Sequence, residues 1–143
     1  MSIQDRLLQE MKQAMRDKDT IRLGTIRLLR SQIKNVEIDQ GELSDEQVEK
    51  VVIKLIKQWK DALEDYLQAG REDLVEETKQ KIEILEEYMP EMMSEDELEQ
   101  IVDQVVEKSG VDQVGPLIGQ VMAKVGNKAD GAVVAKLVRK KIG

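Results

Sequence analysis

The chain has 143 residues with no histidine, no cysteine and no phenylalanine, which removes the commonest general base, disulfides and thiolate metal sites. Its net charge is −7, and its hydrophobic residues (41%) are almost all aliphatic, enough to build the core of one or two helical domains. No apolar run approaches the roughly 18–20 residues of a membrane span, and the N-terminus, with Asp5, Arg6 and Glu10, lacks the apolar core of a secretory signal, so a cytoplasmic protein is expected.

In chain order the apolar period is helical. Ile3, Leu7, Met11 and Met15 step by four along a first helix. Ile26, Leu29, Ile33 and Val36 mark a second that Gly41 ends. Ser44-Asp45-Glu46-Gln47 reads as a capping box, and Val48, Val52, Leu55, Trp59, Leu63 and Tyr66 carry a long third helix to Gly70. Trp59 and Tyr66, seven apart, are expected as core aromatics. Leu74, Ile82, Leu85 and Met89 make the fourth stripe. Pro90 breaks the pattern, and a second box opens at Ser94 through Glu97. Three short helices are expected beyond it: Ser94–Lys108, about Val114–Val125, and Asp130–Ile142, the last capped by Asp130 with Val133, Val134, Leu137 and Val138 buried. The expected architecture is all-α: an N-terminal antiparallel helical bundle (1–91) followed by a small three-helix domain (92–143).

Charge divides the chain more sharply than its total suggests. Residues 41–110 hold 21 acidic and eight basic side chains, a net of −13, whereas residues 111–143 hold six basic and two acidic, a net of +4. The six are Lys124, Lys128, Lys136, Arg139, Lys140 and Lys141. Lys136, Arg139 and Lys140 stand three and four apart on the last helix, while Lys124 and Lys128 flank the Gly126-Asn127 turn. Dipole complementarity of a helix C-terminus is worth only about 0.3–1 kcal/mol and does not call for six charges. Two readings stay open: charges that only complement the dipole and keep the surface soluble, or a face that holds phosphates and, with no aromatic nearby, reads shape more than base identity. Gly131, first residue of the last helix, leaves its amides open to close approach.

Catalytic signals are absent. The carboxylates Glu72, Asp73, Glu76, Glu77, Glu83, Glu86 and Glu87 read as solvated helix faces, and no EF-hand, phosphate-loop or nucleophile-elbow spacing occurs. No catalytic residue, metal ligand or cofactor is expected.

Ala69-Gly70-Arg71-Glu72-Asp73-Leu74, Glu83 through Pro90 and Ser94-Glu95-Asp96-Glu97-Leu98 resemble the bacterial YqeY proteins. So do Arg22-Leu23, Ser31-Gln32-Ile33-Lys34-Asn35, Gly115 through Met122 and Lys128-Ala129-Asp130-Gly131, so that the resemblance covers essentially the whole chain. It departs at Ala123, where the family usually has proline, and at Pro116, where the family tends to be basic. The resemblance implies a C-terminal part similar to the tail domain of the B subunit of glutamyl/aspartyl-tRNA amidotransferase, a carbon-nitrogen ligase with glutamine as amido donor. There the tail helps hold the tRNA and ammonia transfer happens elsewhere. Two readings stand open: a non-catalytic tRNA-binding module, or an adaptor whose acidic helices dock onto an amidotransferase or an aminoacyl-tRNA synthetase.

Overall fold

Five of the seven helices in the computed structural model, which describes residues 1–143, open on a side chain that closes their first turn. Ser2 and Asp5 form a reciprocal box on α1 (Ile3–Asp17), as Ser44 and Gln47 do on α3 (Asp45–Gln68). Asp19 caps α2 (Thr20–Gln40), Ser94 caps α5 (Glu95–Ser109) and Asp130 caps α7 (Gly131–Ile142). The Ser94 box is only half formed. Its Oγ accepts from the Glu97 amide at 3.2 Å and donates to the Glu97 carboxylate at 3.1 Å, so that carboxylate does not reach back to the cap amide. Helices α4 (Glu72–Glu86) and α6 (Val114–Val125) begin without a side-chain cap. Pro116 falls in the first turn of α6, where amides have no intrahelical acceptor to lose, so the helix admits it. No strand is present, and the all-helical expectation is met.

One stop was not visible in the pattern. Helix α1 ends at Lys18, a non-glycine residue in the left-handed region (φ 56°), with the Asp19 amide bonded back to the Ala14 carbonyl at 3.0 Å.

The chain divides into two compact units, Met1–Met89 and Pro90–Gly143. In the first, α1 lies on α2, α3 lies mainly on α4, and α2 touches both α3 and α4. Leu7, Ile26, Leu29, Val48, Val52 and Leu85 fill its core, and Tyr88 is buried with them. Trp59 and Tyr66 are not core residues as expected: both are half-buried, Trp59 packing on the rim of the core. Helix α3 runs for 24 residues, but its fully buried positions stop at Ile56. Beyond Ile56 too little of the unit lies over the helix to cover an aromatic ring.

In the second unit α5, α6 and α7 pack pairwise around Leu98, Val102, Leu117, Val121, Val134 and Leu137. Val133, expected in the buried stripe, is 38% exposed. The stripe steps through Val134, Leu137 and Val138, and Val133 sits about 100° away from Val134 around the helix. A short 3-10 turn, Gly126–Lys128, connects α6 to α7. Its Lys128 carbonyl accepts the Met93 amide at 2.8 Å, which ties the segment after Pro90 to the turn before α7.

Candidate functional site

All six basic side chains singled out in the C-terminal third are exposed. Helix α6 carries Lys124, the 3-10 turn carries Lys128, and α7 carries Lys136, Arg139, Lys140 and Lys141. Lys141 is engaged within its own unit, its Nζ lying 3.1 Å from the Asp103 carboxylate of α5. The other five have no ion-pair partner, so their charge is uncompensated. Asp103 carries no signal of its own in the sequence. No sequence pattern linked it to Lys141, because α5 and α7 meet only through folding.

The start of α7 is built as its sequence suggests. Asp130 Oδ1 accepts the Ala132 amide at 2.8 Å, which fixes the first turn. Gly131 follows with open space where a Cβ would stand and without a left-handed backbone. Nothing inside the chain requires glycine there. The same is true of Gly115 and Gly119 on α6, so α6 and the start of α7 each offer bare backbone to whatever approaches.

A second constellation lies in the first unit. The Tyr88 hydroxyl donates to the Glu10 carboxylate, and the Arg6 guanidinium lies 4.9 Å from the Tyr88 ring centroid. Arg6 also donates to the Glu87 carbonyl at 3.3 Å and pairs with Glu10. Arg22 meets the Glu87 carboxylate at 2.7 Å, and that hydrogen bond raises its already high pKa. Burial, and then the hydrogen bond to Glu10, holds the Tyr88 hydroxyl above its ordinary value. An open cleft of about 420 Å³ borders this cluster, lined by Asp19, Arg22, Gln80, Glu83, Ile84 and Glu87, among others. Its charged groups largely satisfy one another, so the cluster is a clasp joining α1, α2 and the end of α4. No group of three or more acidic side chains is disposed to hold a metal ion.

The family model described as Yqey-like protein matches residues 4–142, and the chain belongs to that family. A protein of Pyrenophora tritici-repentis named altered inheritance of mitochondria protein 41, mitochondrial, is 29% identical over 144 residues, covering 96% of this chain and 80% of its own length. The protein of that name from Lachancea thermotolerans is 44% identical over 88 residues, 60% of this chain and 47% of its own. The E subunit of glutamyl-tRNA(Gln) amidotransferase from Thermococcus sibiricus is 35% identical over 100 residues, which is 65% of this chain but 16% of that protein. The chain thus aligns with about half of the yeast relative and a small part of the archaeal one.

These relatives overturn the expectation of a cytoplasmic protein, because the fungal ones are named as mitochondrial. The inference failed for a physical reason. Apolar leaders mark secretion and membrane insertion, whereas mitochondrial leaders are amphipathic and basic, so the pattern that was sought does not bear on this compartment. No helix is long and apolar enough to cross a membrane.

Proposed function

We propose that this member of the Yqey-like family is a non-catalytic accessory module for tRNA-dependent amidation, in which the second unit grips tRNA phosphates and another protein carries out the chemistry. The observation that carries the reading is the set of five exposed, uncompensated cations, Lys124, Lys128, Lys136, Arg139 and Lys140, on α6, α7 and the turn between them. Supporting it is the partial likeness to a protein named as part of a tRNA amidotransferase. In this reading the first unit is an antiparallel helical bundle that serves as a handle, and the second is a three-helix grip. The exposed glycines of α6 and α7 let a sugar-phosphate backbone come close, while the cations hold it by charge. Such contacts read shape more than sequence. With no histidine or cysteine the chain lacks the commonest general base and a thiol nucleophile.

The test is a tRNA titration by filter binding across a salt series, with the intact chain and a Lys136→Glu/Arg139→Glu/Lys140→Glu variant. Modest binding at low salt is expected, with the logarithm of affinity falling linearly against the logarithm of salt. The triple variant should bind on the order of tenfold or more weakly, with a salt slope shallower by about one for each phosphate no longer held. Equal binding by the two forms, or none by either, ends the proposal. Affinity capture with and without nuclease separates it from docking through the acidic segment, since a protein partner held by that segment survives loss of the RNA.

A further inference from the structure

The outer side of α1 and α2 is both apolar and cationic, and no other helix of the first unit covers it. The two helices meet along a line marked by Gln4 donating to Glu37 at 3.3 Å and by Arg30 donating to the Met11 sulfur at 3.2 Å. With about 3.6 residues per turn, Leu8 and Met15 come next on α1 on the side away from the core, followed by Lys12. On α2 the same construction sets Lys34 and Arg27 beside the line, followed by Ile38. Leu8 is 37% exposed, Met15 51% and Ile38 80%. Lys12, Arg27 and Lys34 are exposed and have no ion-pair partner. Helix α3 offers a contrast: Lys50, Lys54 and Lys57 stand on its outer face with no large exposed hydrophobic side chain among them, as an ordinary solvated face does.

We propose that this furrow between α1 and α2 is a docking site for an acidic amphipathic helix of a partner protein. A third helix fits the furrow of two antiparallel helices, at the usual interaxial distance of about 8–10 Å. Its apolar stripe covers Leu8, Met15 and Ile38, and its carboxylates meet Lys12, Arg27 and Lys34. The mixed chemistry selects this occupant. A nucleic acid would use the cations but gain nothing from three aliphatic side chains. An anionic bilayer would meet a unit whose residues 1–89 hold 15 basic and 20 acidic side chains and would be repelled beyond the furrow itself. The proposal uses a different unit from the tRNA grip and is independent of it.

A synthetic, fluorescently labelled helix with leucine at i, i+3, i+4 and i+7 and glutamate elsewhere is the probe, titrated against the full chain by anisotropy. The same helix with lysine for glutamate, phosphatidylserine vesicles and tRNA are titrated in parallel. Two surface variants, Met15→Glu/Ile38→Glu and Arg27→Glu/Lys34→Glu, are checked for unchanged helicity and melting. The acidic helix is expected to bind, each variant to weaken it about tenfold, and the lysine helix not to compete. No binding of the acidic helix, binding unaffected by the variants, or equal binding of the lysine helix overturns the proposal. So does vesicle or tRNA binding that falls with the same variants, or self-association of the chain that they abolish.

Discussion

Tyr88 is one of only three aromatic side chains in the protein and the only one that is fully buried. Its hydroxyl, bonded to Glu10, and its ring, faced by Arg6, join the last turn before Pro90 to the first helix. Tyr88→Phe keeps the ring and removes its hydrogen bond to Glu10, which stays partly exposed and paired with Arg6, and should cost about 0.5–1.5 kcal/mol in urea unfolding. The pH dependence follows from the raised hydroxyl pKa. The folded state favours the protonated phenol, so this contribution is fully present below the unfolded value of about 10 and is lost as pH rises beyond it. Above about pH 10, the unfolding midpoint of the parent chain should therefore fall more steeply than that of Tyr88→Phe. Parallel decline would mean that the phenol is not the linked group.

At the scale of elements, two helices carry an interior glycine where nothing in the fold asks for it. Gly24 within α2 and Gly119 within α6 have open space at the Cβ position and no left-handed backbone. Each costs its helix roughly 0.5–1 kcal/mol relative to alanine. Gly24→Ala and Gly119→Ala should each raise stability by about that amount in thermal or urea melts. Only Gly119→Ala should also weaken tRNA binding if α6 is the face a phosphate backbone approaches. A stabilised Gly119→Ala chain with unchanged tRNA affinity would remove that face from the grip.

The whole molecule places its charges unevenly between two units of unequal size. The second unit has 54 residues and its own core of Leu98, Val102, Leu117, Val121, Val134 and Leu137, but a domain this small is marginal on its own. Residues 90–143 expressed alone should be helical by circular dichroism and melt cooperatively. In calorimetry of the full chain a lower, separate transition should belong to this unit. Failure of the fragment to fold would show that it draws stability from the rest of the chain. The tRNA grip would then have to be studied only in the intact protein.

Much of this protein is local, and local features can be read in one dimension. Helical periods, the Ser44 box, the Asp130 cap and the stops at Gly41 and Gly70 each depend on residues within one or two turns, so the sequence alone determined an all-helical chain and most of its helix ends. Exposure of the four cations of α7 was likewise implied, because the aliphatic stripe of α7 leaves the other side of that helix to solvent. What depends on distant residues was decided by the tertiary structure. The left-handed Lys18 follows from folding α2 back against α1 without a glycine. Trp59 and Tyr66 lost the core to Tyr88 because burial depends on how far neighbouring helices extend, which no period encodes. Lys141 left the free cations because folding set Asp103 beside it. The furrow of Leu8, Lys12, Met15, Arg27, Lys34 and Ile38 exists only when two helices lie antiparallel, since residues thirty positions apart become neighbours through packing alone.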